Sequence, residues 1–196
     1  MSLLDIHVLG SPILRQETVP VGVVTDAIRT LIDDMFETMR AARGIGLAAP
    51  QVGRSERITV VDVGKTREER QPIVLVNPEV VTREGKSRGE EGCLSIPEIY
   101  GEVERAANVV VRALDRNGVP FEIAATDLLA RCVQHEIDHL HGRLFVDHLS
   151  LFKRRAALAR WDEEKYLYPD LRRTLVPLRS DALPLAVLEP AAHNDL

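Results

Sequence analysis

Residues 127–141 read Asp-Leu-Leu-Ala-Arg-Cys-Val-Gln-His-Glu-Ile-Asp-His-Leu-His. The pattern predicts a helix over about this span, with Thr126 at its N-cap and Gly142 just past its end, where a residue free to adopt positive φ commonly stops a helix. Inside it, His135-Glu136-Ile137-Asp138-His139 form an H-E-x-x-H motif. Residues four apart on a helix sit one above the other, so both imidazoles can reach one ion. Glu136 lies about 100° round the helix from His135, close enough to touch water at that ion without ligating it, a placement that suits a general base. The bland alternative is a half-buried polar face on an ordinary helix.

A catalytic ion of this kind usually takes three protein ligands and keeps one position open. The third ligand must come from outside the motif, and the chain holds two cysteines, Cys93 and Cys132. Spacing favours Cys132, three residues before His135, since Cys93 needs the fold to carry it in. Against that stands the ordinary reading of Cys132 as a small buried apolar residue.

Working outward, residues 26–43 place Ile28, Leu31, Ile32, Met35, Phe36 and Met39 at the spacing of one helical face. Thr25 or Asp26 can cap that helix, and Gly44 is the expected left-handed residue at its end. Strands are predicted over 58–63, 73–76, 109–114 and 119–124, all short, β-branched and separated by turn residues. Asn117-Gly118 between alternating apolar positions signals a hairpin. A third helix is expected over 151–161 after Ser150. The fold class is therefore α+β, with antiparallel sheet packed around a central H-E-x-x-H helix, an N-terminal helix, and a C-terminal helix followed by an extended tail. One catalytic domain is expected over 1–161. Prolines 169, 177, 184 and 190 mark 162–196 as an extension, irregular or partly disordered.

Composition narrows the function classes. With 196 residues, 45% of them hydrophobic, the chain can bury one substantial core. A formal net charge of −5 argues against general binding to nucleic-acid backbones. No basic segment followed by an apolar run opens the chain, and nothing in it has the length and apolarity of a membrane span, so a cytoplasmic location with reduced thiols is expected. Between Lys153 and Arg179 the basic residues exceed the acidic ones by eight to four. That run reads either as a solvated helix face or as a contact for ribosomal RNA.

Three further stretches bear on the chemistry. Gly44-Ile45-Gly46-Leu47-Ala48-Ala49-Pro50-Gln51 lacks the Lys and later glycine of a phosphate loop, but ends on an amide donor in an apolar run. Together with Glu91-Gly92-Cys93-Leu94-Ser95 and Gln134-His135-Glu136-Ile137-Asp138-His139, it resembles the three signature motifs of the peptide deformylase family, in the family's order. The resemblance extends from about Val8 to Ser150, including Gly10–Arg15 and Arg112–Gly118, and does not cover the tail after Trp161.

The resemblance implies an enzyme that removes the formyl group from N-terminal formyl-methionine of newly made polypeptides and releases formate. It replaces the spacing preference for Cys132 with Cys93 as third ligand beside His135 and His139. It also implies one ferrous ion per chain, with zinc, nickel or cobalt able to substitute. Glu136 is the expected base, Gln51 and the Leu94 backbone amide the expected donors to the reacting oxygen, and Ile45, Gly46, Glu91 and Gly92 the expected substrate-binding residues. Formylated nascent peptides are the expected partners, with the ribosome a further one through the basic C-terminal helix. Without the resemblance, H-E-x-x-H fits a zinc endopeptidase equally well, or a metal-binding relative without turnover. The endopeptidase would need a ligand downstream of the helix and would leave Glu91-Gly92-Cys93 idle.

Overall fold

The computed structural model describes residues 2–175 apart from 65 and 67. The elements run β1 (Ile6–His7), α1 (Asp26–Ala41), β2 (Gly46–Ala48), β3 (Ile58–Val61), β4 (Ile73–Glu84), β5 (Ser87–Cys93), β6 (Ile96–Arg105), β7 (Asn108–Leu114), β8 (Pro120–Thr126), α2 (Asp127–Leu140), α3 (Leu151–Glu164) and β9 (Arg172–Arg173). An antiparallel five-stranded sheet has the order β2-β3-β4-β7-β8, while β5 and β6 form a separate hairpin and β1 pairs with β9.

Strand alternation explains how the large sheet carries a helix on each side. Successive side chains point to opposite faces, so Ile58, Val60 and Val76 pack with Leu31, Ile32, Met35 and Met39 of α1. Val61 and Leu75 face the other way, with Val109, Val111 and Ala125, against Ala130, Val133 and Ile137 of α2. A strand covered on both faces is buried along its whole length, as Ile58–Val61 is, and its one polar side chain, Thr59, donates its hydroxyl to Leu47 O at 3.1 Å. A third cluster joins Ile96, Ile99 and Val103 of β6 to Phe145, Leu149 and Trp161. α2 is thus held between the sheet and the β5–β6 hairpin.

Several local expectations shift. The left-handed residue past the end of α1 is Arg43, φ 59°, one residue ahead of the glycine expected there. Arg43 N donates to Arg40 O at 3.0 Å and Gly44 N to Met39 O at 2.8 Å, the paired bonds that close a helix C-terminus. α2 closes the same way at Gly142, φ 66°. Thr126 makes no cap bond to the helix; its hydroxyl donates to Asp127 Oδ2 at 3.0 Å. In the β7–β8 turn only Gly118 has positive φ, and Asp115 Oδ1 organises the turn by accepting from Asn117 N and Val119 N at 2.7 and 2.9 Å.

β4 runs on through Glu84, and the β5–β6 hairpin lies where no strand was expected. α3 starts at Leu151 as expected, with the Ser150 hydroxyl accepting from Lys153 N at 3.4 Å, but continues to Glu164. Beyond it come short turns and then β9, where Ile6 pairs with Arg173 and His7 with Arg172. Residues 176–196, the remainder of the expected extension, lie outside the described residues. Among the described residues no helix is long and apolar enough to cross a membrane.

Candidate metal centre

The buried face of α2 carries His135, Glu136 and His139, which are 8%, 4% and 1% exposed. The one-turn spacing sets the two imidazoles 5.0 Å apart, centroid to centroid. Opposite them is Cys93, at the irregular end of β5, where pairing slips from Gly92↔Tyr100 to Cys93↔Ile96. A register slip of this kind bends a strand and re-aims a side chain. Cys93 Sγ comes to 3.3 Å from His139 Nε2, and the donor atoms of Cys93, His135 and His139 all lie within 4.8 Å of one another.

This donor set fits a divalent ion. Ligand bonds of about 2.3 Å to sulfur and about 2.0 Å to nitrogen, arranged tetrahedrally, place the two atoms roughly 3.5 Å apart, close to the separation seen. Cys132, which spacing favoured, stands apart from the cluster. It is buried, and its Sγ donates to Ile45 O at 3.5 Å. Burial, then the charges of Glu136 and Glu91, push its thiol well above the ordinary value, so it stays protonated and packs as a small apolar group.

Behind the Cys-His-His cluster sits a charged layer for which the sequence has no local signal. Glu91 Oε2 lies 3.0 Å from His135 Nδ1. Arg105 holds the same carboxylate through Nε and Nη2 at 2.9 and 3.0 Å, and Arg131 Nη1 holds it at 2.8 Å. Arg105 Nη1 also donates to Asp138, whose Oδ2 is 2.7 Å from His148 Nε2. A carboxylate on Nδ1 fixes the tautomer that leaves Nε2 free as a ligand. Glu91, expected among the substrate-binding residues, has both oxygens engaged within the protein, Oε2 by His135 and Arg105 and Oε1 by Arg105 and Arg131.

Burial disfavours charge throughout, and the partners decide each outcome. Burial raises Glu136 to about 7, with the His135 charge opposing and Glu91 adding to the rise. It acts on Glu91 in the same direction, but hydrogen bonds from His135 and Arg105 outweigh it and hold that carboxyl well below the usual range. Burial would lower His135, yet Cys93 and Glu91 hold it well above its ordinary value. His139 is pushed well below, by burial and then by the charge on His135.

Glu136 Oε2 is buried without a hydrogen-bond partner in the protein. A side chain on Gly46 would put its Cβ 2.4 Å from Glu136 Oε1 and 2.8 Å from Cys132 Sγ, so the β2 backbone approaches the carboxylate as only glycine allows. Gln51 Oε1 accepts from Ala48 N at 2.8 Å, which turns Nε2 toward Ser95 Oγ at 3.2 Å and Cys93 Sγ at 3.6 Å. Leu94 follows Cys93 in the turn joining β5 to β6, and Ile45 is partly exposed beside β2. At Gly92 a Cβ would meet the Tyr100 ring at 2.7 Å, so that glycine makes room for the ring across the hairpin.

A Cys-His-His cluster whose two buried histidines share a helix with a partnerless carboxylate, set between an antiparallel sheet and a hairpin, defines a metal-dependent hydrolase. The family described as polypeptide deformylase matches residues 3–155. The chain belongs to that family, whose members remove the N-formyl group from nascent polypeptides. A peptide deformylase of Alkalilimnicola ehrlichii is 56% identical over 155 residues, covering 79% of this chain and 86% of the relative. One from Hydrogenovibrio crunogenus is 50% identical, covering 84% and 96%. Among solved structures, a peptide deformylase from Legionella pneumophila superposes with a TM-score of 0.80 at 49% identity, covering 85% of this chain and 97% of that one. The Ehrlichia chaffeensis enzyme in complex with actinonin gives 0.78 at 39% identity, covering 84% and 99%.

Proposed function

We propose that this chain hydrolyses the formamide at the N-terminal formyl-methionine of newly synthesised polypeptides, with Glu136 as the proton-transferring group and Cys93, His135 and His139 as ligands. The convergence of those donors on one another, with the buried, unpartnered Glu136 Oε2 on the same helix as both histidines, carries the reading. When bound there, a divalent ion would make water acidic near neutral pH, bringing its pKa to ~7, and would polarise the formyl carbonyl. Glu136 takes a proton from the attacking water on Oε2 and delivers it to the departing amine nitrogen, leaving formate and a free α-amine.

Gln51 Nε2, held in place by the bond from Ala48 N to Oε1, donates to the oxygen that becomes negative, and the Leu94 backbone amide is assigned the same task. Donors of this type contribute about 10² to 10³ in rate each. Ile45 and Gly46, at the edge of the five-stranded sheet, and Gly92, beside Cys93, are assigned to the substrate groove. The catalytic unit is assigned to 1–161, with 162–196 as an extension, although α3 crosses that boundary.

Ferrous iron, one per chain, is the proposed ion, with zinc, nickel or cobalt able to replace it; on donor chemistry alone zinc suits the site equally. Metal analysis of anaerobically purified protein tests this. Formate release from formyl-Met-Ala, set against cleavage of internal peptides, tests the reaction, and cleavage without formate would select the endopeptidase reading.

Cytoplasmic action beside the ribosome follows from a nascent-chain substrate. In support, Leu151 and Phe152 are strongly exposed at the start of α3, next to Lys153 and Arg155. Arg154 and Arg160 are paired instead to Asp147 and Glu164 at 3.0 and 2.9 Å. Reversing Lys153 and Arg155 to Glu should abolish ribosome co-sedimentation. Deleting α3 is a poor test, because Trp161 belongs to the core.

A further inference from the structure

A cavity of about 470 Å³ lies on the side of α2 away from the ligands. None of Cys93, His135, His139, Glu136 or Gln51 lines it. Its walls come from the end of β4, the β4–β5 turn, the β6–β7 link, α2 and the segment following α2. Four cationic side chains, Arg83, Lys86, Arg105 and Arg143, share it with two carboxylates, Glu104 and Asp138.

Both carboxylates are already engaged. Glu104 accepts from Lys86 at 2.8 Å and Arg88 at 3.1 Å, and Asp138 accepts from Arg105 and pairs with His148. The guanidinium groups of Arg83 and Arg143, brought together from segments sixty residues apart in sequence, have no ion-pair or hydrogen-bond acceptor among the described residues. A concavity with excess charge of one sign concentrates its field. Guanidinium groups, with donors in a fixed planar fork, match the geometry of carboxylate and phosphate oxygens. Beside them Val80 and Ile137 supply an apolar wall.

We infer that this cavity is a binding site, distinct from the metal centre, for a small organic anion whose carboxylate or phosphate head is held by Arg83 and Arg143 and whose short apolar part lies on Val80 and Ile137. The inference does not depend on the reaction proposed above.

The test is calorimetric titration of the metal-loaded full chain with butyl phosphate and with butyrate at fixed ionic strength, in wild type and in the double variant R83Q/R143Q. Saturable one-site binding in wild type, weakened at least about tenfold in the double variant, with formate release in the absence of anion unchanged, upholds the site. The tighter of the two probes identifies the head group. Equal affinity in the double variant, whose metal ligands are intact, would place the bound anion elsewhere and overturn the proposal. Absence of saturable binding of either probe to wild type overturns it equally.

Discussion

Glu91 Oε2 rests 3.0 Å from His135 Nδ1 while two arginines grip the same carboxylate. The imidazole of one proposed ligand is therefore aimed by a residue 44 positions earlier in the chain. Replacing Glu91 by Gln leaves an acceptor for the imidazole but removes the charge that both arginines need. Metal affinity should fall about 10- to 100-fold, the usual effect of losing a partner behind a ligand. Competition with a chelator measures this, and wild-type retention would show that His135 orients itself.

Glu136→Ala should keep the metal and lose nearly all formate release, by about 10² to 10⁴ in rate. Cys93→Ala should instead give a folded protein that holds little metal and for that reason releases little formate, while Cys132→Ala binds metal as wild type does. Metal analysis and formate release on the three purified variants separate the roles. Full occupancy in Cys93→Ala would remove it from the ligand set.

Gly46→Ala probes the close approach of β2 to Glu136. A methyl group there meets Glu136 Oε1 at 2.4 Å, so either the carboxylate or the strand must move. Misplacement of about 1 Å at a reacting group can cost roughly 10²-fold. Activity should fall by about that factor with metal content intact. A fully active variant would mean that the strand yields without disturbing the carboxylate.

The Arg105–Asp138–His148 cluster makes a statement about acid. Burial would raise the Asp138 carboxyl, but hydrogen bonding to His148 and the Arg105 charge bring it down to about 2 from an ordinary 3.8. A carboxyl lowered on folding contributes stability that is present above about pH 4 and is lost as pH falls from there to about 2, an effect of roughly 2 kcal/mol. Denaturant titrations at pH 5 and pH 2 should show that loss in wild type, and Asp138→Asn should reduce it by a similar amount. An identical pH dependence in the variant would show that Asp138 gains nothing from its partners.

What the chain discloses by itself follows from how far each signal reaches. His135, Glu136 and His139 are legible because the helical repeat alone places them on neighbouring positions. α1 is legible because Leu31, Ile32, Met35 and Met39 recur with that same period. Cys93 is not legible from spacing, which points to Cys132; only the three motifs taken together point to Cys93. The hairpin from Ser87 to Arg105 hid behind Gly89, Gly92, Pro97, Gly101 and a series of glutamates, residue types that strands usually avoid. Its register with the rest of the fold is set by tertiary packing of Ile96 and Val103. Arg105 and Arg131 had no local signature, because their role exists only once β5, β6 and α2 meet.

The two-residue pairing of Ile6–His7 with Arg172–Arg173 joins residues 167 and 165 positions apart in the chain. Synthesis proceeds from one end, and domains assemble as their parts emerge. Ile6 must therefore wait without its strand partner until almost all the other described residues have been made. A catalyst that acts on the first residue of other proteins pairs its own sixth residue only after residue 173 has been made.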